Sequence, residues 1–469
     1  MILYFMNGEM RYNVFKEGEI DMLKPFKRKI YDEMLEWKED KSDKYALLIK
    51  GARRVGKSTI VEEFAKNEFK SYIMIDFAHT TKEITSLFDD MYNLDYFFLQ
   101  LQQFTNTRLY KNESVIIFDE VQLLPKARQA IKFLVKDGRY DYIETGSLIS
   151  IKKNVKDILI PSEERKFQMH PMDYEEFLWA LDDKTTMSLL KMTFDNKKKL
   201  GDQLNRKLMR SFRLYMLVGG MPQAVNEYIQ TNNFKKVDDI KRDIINLYED
   251  DFRKIDSTGR LALLFEAIPS QLNKNTKGFQ TKKILNSYKT ADTTILSLIS
   301  ELKDSKTISV AYHANNPEIG LSAYKDLNLF KLYMADTGLF VTLQFKDRDF
   351  TENTIYEKLL NDKLSTNLGY LYENAVAQIL TANGHDLFYY TFKNLEQKRN
   401  YEIDFIISKK NKICPIEVKS SNYKKHTSID EFYKKYSSRI LERYIIHTKD
   451  VSKDQDILCL PIYLTQFIL

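Results

Sequence analysis

Along the first third of the chain, short apolar runs alternate with longer stretches in which apolar residues recur every three or four positions. The runs are Tyr45-Ala46-Leu47-Leu48-Ile49-Lys50, Ser71-Tyr72-Ile73-Met74-Ile75-Asp76, Ser114-Val115-Ile116-Ile117-Phe118, Tyr140-Asp141-Tyr142-Ile143 and a fifth near residues 165–169. Runs of this length, bounded by polar turns, read as buried strands. Phe26, Ile30, Met34 and Trp37 recur at helical spacing ahead of the first run, and a second helical stretch covers residues 81–110. Strands alternating with helices predict a parallel sheet covered on both faces, with ligands at the carboxyl ends of the strands. Beyond residue 183 the periods are helical to about residue 251, broken at Leu217-Val218-Gly219-Gly220-Met221-Pro222. Residues 261–340 read as helix, turn and helix, followed by β-rich pieces at Thr307-Ile308-Ser309-Val310 and Leu329-Phe330-Lys331-Leu332-Tyr333-Met334. The last segment opens a helix at Gly369 and continues with two strands, Glu402-Ile403-Asp404-Phe405-Ile406-Ile407 and Ile413-Cys414-Pro415-Ile416-Glu417-Val418.

The junction after the first strand carries chemistry. Gly51-Ala52-Arg53-Arg54-Val55-Gly56-Lys57-Ser58-Thr59 fits G-x-x-x-x-G-K-[ST] between a strand and a helix, the pattern of a phosphate-binding loop. Gly51 and Gly56 permit the tight turn, so that successive amides through Arg54, Val55 and Thr59 face one anion. The helix starting near Gly56 adds its positive end. Lys57 supplies a point charge for the outer phosphates and Ser58 a hydroxyl for Mg²⁺, which makes ATP with Mg²⁺ the expected cofactor pair. The third strand ends in Asp119-Glu120, where Asp119 holds the Mg²⁺ shell and Glu120 polarises the attacking water. Thr145 or Ser147, at the end of the fourth strand, stands where a sensor residue reads the phosphate. Arg165, Arg210 and Arg213 are the candidates for an arginine meeting the γ-phosphate.

Composition narrows the class. The chain of 469 residues is 43% apolar and 29% charged, as ordered globular proteins of several domains are. Two cysteines exclude a disulfide framework and point to a reducing, cytoplasmic setting; six scattered histidines argue against a structural zinc site. No apolar run approaches the ~18 residues of a membrane span, so no membrane partner is expected. The net charge of +6 is slight for this length, but its distribution is uneven. Residues 393–453 hold 15 Lys/Arg against 8 Asp/Glu, a balance of +7, which favours a polyanion such as DNA or RNA at the C-terminal end.

That same end holds an acid pair. Asp404 and Glu417 sit on two strands joined by a hairpin and so meet side by side, while Glu417 and Lys419, two apart, share a face. Two carboxylates bind a hard divalent ion through oxygen, and the lysine activates or positions water. Pro415 implies an irregularity in its strand or a free N–H side there.

Gly51–Thr59, Asp119-Glu120-Val121-Gln122, Thr145-Gly146-Ser147 and Pro171-Met172-Asp173-Tyr174-Glu175-Glu176-Phe177-Leu178 together resemble a family of prokaryotic AAA-type ATPases joined to a C-terminal domain similar to the PD-(D/E)xK nucleases. The resemblance implies a multidomain α/β protein: a P-loop ATPase core over 1–182, a helical lid over 183–255, a winged-helix-like segment over 256–345 and a PD-(D/E)xK-like domain over 346–469. It implies that Pro222 packs near the nucleotide base, and that Asp336-Thr337-Gly338-Leu339 leads into the last domain. It also implies that Glu373 completes a metal set with Asp404 and Glu417, with Lys419 as the catalytic lysine. Lys274, Lys277, Lys282 and Lys283 of the winged-helix-like segment suit phosphates. The expected function is an ATPase whose nucleotide state controls a nuclease-like, nucleic-acid-binding domain; the rival is a switch or scaffold whose last domain binds nucleic acid or protein without cutting. Whether the chain acts alone or as a homo-oligomer is open.

Overall fold

The five apolar runs of the first part form one all-parallel sheet. The computed structural model describes residues 4–6, 9–11, 25–147, 158–273, 278–285, 292–347, 353–361, 369–394, 399–420 and 424–468. The chain divides into two units, Met1–His170 and Pro171–Leu469. In the first, a hairpin of β1 (Tyr4–Met6) and β2 (Glu9–Arg11) stands apart from the main sheet. That sheet comprises β3 (Ala46–Lys50), β4 (Ser71–Asp76), β5 (Ser114–Asp119), β6 (Asp141–Gly146) and β7 (Glu164–Gln168), in the order β4-β5-β6-β3-β7. Side chains alternate between its faces, and both faces are covered. Leu48, Ile116 and Phe118 pack with Phe97, Phe98, Ile131 and Leu134 on one side. Leu47, Ile49, Ile117 and Ile143 pack on the other with Phe64 of α2 (Lys57–Glu68) and with Met34 and Trp37 of α1 (Ile30–Asp40). The stripe read from Ile30, Met34 and Trp37 is thus a core stripe.

The sequence places the end of the first domain at residue 182, but the second unit begins at Pro171. The reason is local. Asp173 caps the helix Tyr174–Ala180 in a reciprocal capping box with Glu176, and Tyr174 sets its ring against Phe212 and Tyr215. The Glu-Glu-Phe-Leu element therefore packs with the helices that follow it.

The second unit is built on an eight-stranded mixed sheet in the order β14-β15-β13-β12-β11-β10-β8-β9. Its strands are β8 (Ile308–Ala314), β9 (Lys325–Met334), β10 (Leu387–Asn394), β11 (Arg399–Lys409), β12 (Lys412–Val418), β13 (Arg443–His447), β14 (Ser452–Asp454) and β15 (Ile457–Pro461). β8 and β9, which overlap the β-rich pieces read at residues 307–310 and 329–334, pair antiparallel. They do not stay within the winged-helix-like segment: β8 pairs in parallel with β10, so one sheet runs through the boundary expected at 345/346. Lys282 and Lys283 are exposed on the helix Thr281–Ile284, whereas Lys274 and Lys277 lie outside the described residues. Pro415 sits in register opposite Ile406 without a bulge, and the ladder from β12 to β13 begins one residue later, at Ile416.

The break at Gly219-Gly220 is a backbone crossing. Gly338, in the helix α3 (Thr337–Gln344), comes so close that a Cβ there would lie 2.5 Å from Gly219 Cα. A Cβ on Gly220 would lie 2.1 Å from the Met172 carbonyl oxygen. Asp336 closes the crossing by accepting from Gly220 N at 2.6 Å and from Leu339 N at 2.8 Å. Pro222 opens the helix Pro222–Thr231 in its first turn, where a missing N–H costs nothing.

Candidate functional site

In the first unit the loop between β3 and α2 closes over the carboxyl edge of the sheet. Gly56 takes φ 99° as it opens α2, a left-handed conformation that disfavours other residues. Arg54 is exposed with φ 66°, and Val55 is fully buried. Arg28, itself buried, braces the loop: Nη1 donates to the Val55 carbonyl at 2.9 Å and Nη2 to the His170 carbonyl at 2.6 Å. Lys57 is only 5% exposed, with Nζ 3.1 Å from the Gly51 carbonyl and 3.0 Å from that of Ala52. Burial pushes its pKa below the ordinary lysine value, against the pull of Glu120 and Asp119. Thr59 points outward on the first turn of α2.

The acids arrive from β5. Asp119 is buried and accepts from Ser58 Oγ at 2.9 Å and from the Thr145 hydroxyl. Burial raises its pKa, and those two hydrogen bonds oppose the rise. Glu120 stands just past the strand at φ 51°, accepting from the Gln122 side-chain amide and from Ser147 Oγ at 3.4 Å. Both residues offered as the sensor therefore touch the acid pair, Thr145 at Asp119 and Ser147 at Glu120. Parallel register carries the Asp119 position to Asp76 on β4, whose carboxylate pairs with His79 at 2.7 Å. This donor set fits a nucleotide with Mg²⁺: a helix N-terminus, a buried ammonium, and a hydroxyl beside a desolvated carboxylate. Of the arginine candidates, Arg165 lies over the Tyr45 ring, Arg210 bonds Asn361, and Arg213 Nε bonds the Tyr372 hydroxyl at 2.9 Å.

In the second unit the expected acids gather at the β11–β12 hairpin. Asp404 Oδ2 accepts from Val418 N at 2.8 Å, and Glu417, 1% exposed, pairs with Lys419 at 3.2 Å. Burial holds the Asp404 pKa well above the usual carboxylate range; Glu373 and Glu402 reinforce this, and Lys331 and Lys419 oppose it. Glu417 is raised by burial as well. Glu373, on α4 (Gly369–Ala382), is otherwise engaged. Its Oε1 accepts from Lys331 Nζ at 3.1 Å and from the Tyr333 hydroxyl. Lys331 also donates to Glu402 at 2.6 Å, although β8 and β10 lie between their strands in the sheet order. Among the described residues no three His, Cys, Asp or Glu side chains form a group able to hold a metal. In this arrangement the expected trio of Glu373, Asp404 and Glu417 does not fit a divalent ion.

Sequence reading missed Arg28, Asp76, Gln122, Lys331, Tyr333 and Glu402. Two signals were present: a lysine inside the apolar strand Leu329–Met334, and Glu402 two residues before Asp404 on the same strand face. Arg28 carries no local signal, because what it touches is remote in the chain.

Residues 43–178 match the family model described as an AAA domain. Residues 209–349 and 368–465 match two models described as domains of unknown function, DUF8612 and DUF4143. No curated protein matches the chain. Among solved structures it is similar to the Walker-type ATPase PABY2304 of Pyrococcus abyssi, at 17% identity over 68% of this chain and 96% of that one, with a TM-score of 0.43. It is also similar to the Aeropyrum pernix ORC1 protein in complex with DNA, at 12% identity over 73% and 95%, with a TM-score of 0.31. A third, Cdc6p from Pyrobaculum aerophilum, is 12% identical over 71% and 93%, with a TM-score of 0.22. The matched AAA domain, the loop at Gly51–Thr59 and the acids closing β5 make the first unit an AAA-type P-loop ATPase domain. Among the described residues no helix is long and apolar enough to cross a membrane.

Proposed function

We propose that the chain binds and hydrolyses ATP, and that its nucleotide state controls a C-terminal nuclease-like domain that engages nucleic acid. The observation supporting the first half is Ser58 Oγ at 2.9 Å from Asp119, beside the buried Lys57. In this reading the amides from Gly51 to Thr59 hold the phosphates, and Lys57 pairs with the outer ones. Ser58 and Asp119 hold Mg²⁺, which neutralises phosphate charge when bound. Glu120, held by Gln122 and Ser147, orients the attacking water. Pro222 is the proposed lid residue near the base. The basic excess at the C-terminal end, with Lys424, Lys425, Lys434 and Lys435 exposed, supports DNA or RNA as the second ligand.

The test has two parts. Binding of a fluorescent ATP analogue and phosphate release are measured for the wild type, Lys57→Ala and Glu120→Gln. Lys57→Ala is expected to lose binding; Glu120→Gln keeps it and slows turnover by about 10²–10⁴. Full-strength binding by Lys57→Ala removes the assignment of the loop. Anisotropy titrations with single- and double-stranded DNA and RNA then compare the ATP-analogue and ADP states; identical affinities in both refute the control. Mg²⁺-dependent cleavage abolished in Asp404→Ala, with ATP turnover intact, separates a nuclease from a switch that binds without cutting. One observation favours the second reading: the ammonium of Lys331 among the acids.

A further inference from the structure

The second unit holds four carboxylates, those of Glu373, Glu402, Asp404 and Glu417, whose charges all act on one another or on Lys331. Two lysines stand among them. Lys419 comes from the acids' own hairpin. Lys331 comes from β9, across the boundary expected at 345/346, and is 8% exposed. It reaches Glu373 at 3.1 Å and Glu402 at 2.6 Å. Its ammonium is thus held between two carboxylates at ion-pair distance. Mg²⁺ on Glu373, Asp404 and Glu417 would need oxygens at about 2.0–2.1 Å. An ion using Glu373 Oε1 would displace both Lys331 and Tyr333, and an ion on either oxygen would face a buried like charge.

We propose that Lys331 is the built-in cation of this cluster: a positioning residue that ties Glu373 and Glu402 together and competes with divalent ions for the acids. The cluster is thereby composite, because the segment before residue 345 supplies the charge that the last segment's acids require. This rests on the reading that Asp404 and Glu417 are the acids a metal would use.

The test is Mn²⁺ binding to the full, nucleotide-free chain, followed by electron paramagnetic resonance, with folding checked by circular dichroism. Lys331→Met is expected to bind Mn²⁺ tighter than the wild type by about tenfold or more. Lys331→Arg keeps the charge and is expected to stay at the wild-type level. If Lys331→Met does not fold, Lys331→Met with Glu402→Gln carries the same expectation with one buried acid fewer. Unchanged or weaker Mn²⁺ affinity in the methionine variant overturns the proposal. So does micromolar Mn²⁺ binding by the wild type that disappears in Asp404→Asn, a measurement that needs no variant at Lys331. Gained binding that survives the addition of Asp404→Asn leaves Lys331 as a competing cation but refutes the assignment of Asp404, so the two failures are told apart.

Discussion

Gly338→Ala sets two physical effects against each other at one atom. Gly338 is the second residue of α3, so alanine should stabilise the helix by about 1 kcal/mol through its better propensity. The crossing opposes this. The new Cβ would stand 2.5 Å from Gly219 Cα and 2.6 Å from both Gly219 N and the Val218 carbonyl oxygen. All three are backbone atoms, so no side chain can swing away. Reaching van der Waals contact at about 3.5 Å requires the two segments to part by about 1 Å. Forced repacking of that kind costs about 1–3 kcal/mol. The same movement stretches the 2.6 Å hydrogen bond from Gly220 N to the fully buried Asp336, worth about 1–3 kcal/mol more. The crowding wins, and a net loss of about 1–5 kcal/mol is expected. Urea unfolding measures it through Trp179, since the other tryptophan, Trp37, lies in the first unit and can be changed to Phe in the background. Gly384→Ala is the control: φ is +83° there with nothing within 4 Å, so only about 1 kcal/mol of backbone strain is at stake. A Gly338→Ala midpoint at or above the wild type would refute the crossing.

Two pH dependences follow from buried groups. His447 is 2% exposed, and burial lowers its pKa from 6.5 to about 4. Its contribution is fully present above pH 6.5 and is lost as pH falls towards 4, by about 3 kcal/mol in all; His447→Gln is expected to lose about 2 kcal/mol less than the wild type when urea unfolding at pH 7 and 4.5 is compared. Glu144 has both carboxyl oxygens buried without a hydrogen-bond partner, and burial raises its pKa well above 4.5, aided by Glu164 and opposed by Arg128. A raised folded pKa gives stability that is full below 4.5 and lost as pH rises, so Glu144→Gln is expected to flatten the decline between pH 5 and 8. An unchanged slope in the variant would show that Glu144 ionises in the folded chain as it does in the unfolded one, and would refute the raised pKa.

The chain's local patterns carried the nucleotide site and the acid hairpin. Strand-length apolar runs, the glycine spacing from Gly51 to Gly56 and the acids closing β5 are read from neighbours in sequence, because the backbone of one short segment creates each of them. Asp404 and Glu417 were legible for the same reason: one tight hairpin joins them. Tertiary structure alone decided what no segment contains. It set Arg28 against the Val55 carbonyl, laid β8 beside β10, drove Gly338 onto Gly219 and brought Lys331 among acids up to 73 positions away (404 − 331). Periodicity records which face of an element is apolar, but not which distant element covers it. A buried charge is settled by whatever partner the completed packing puts within about 3 Å of it.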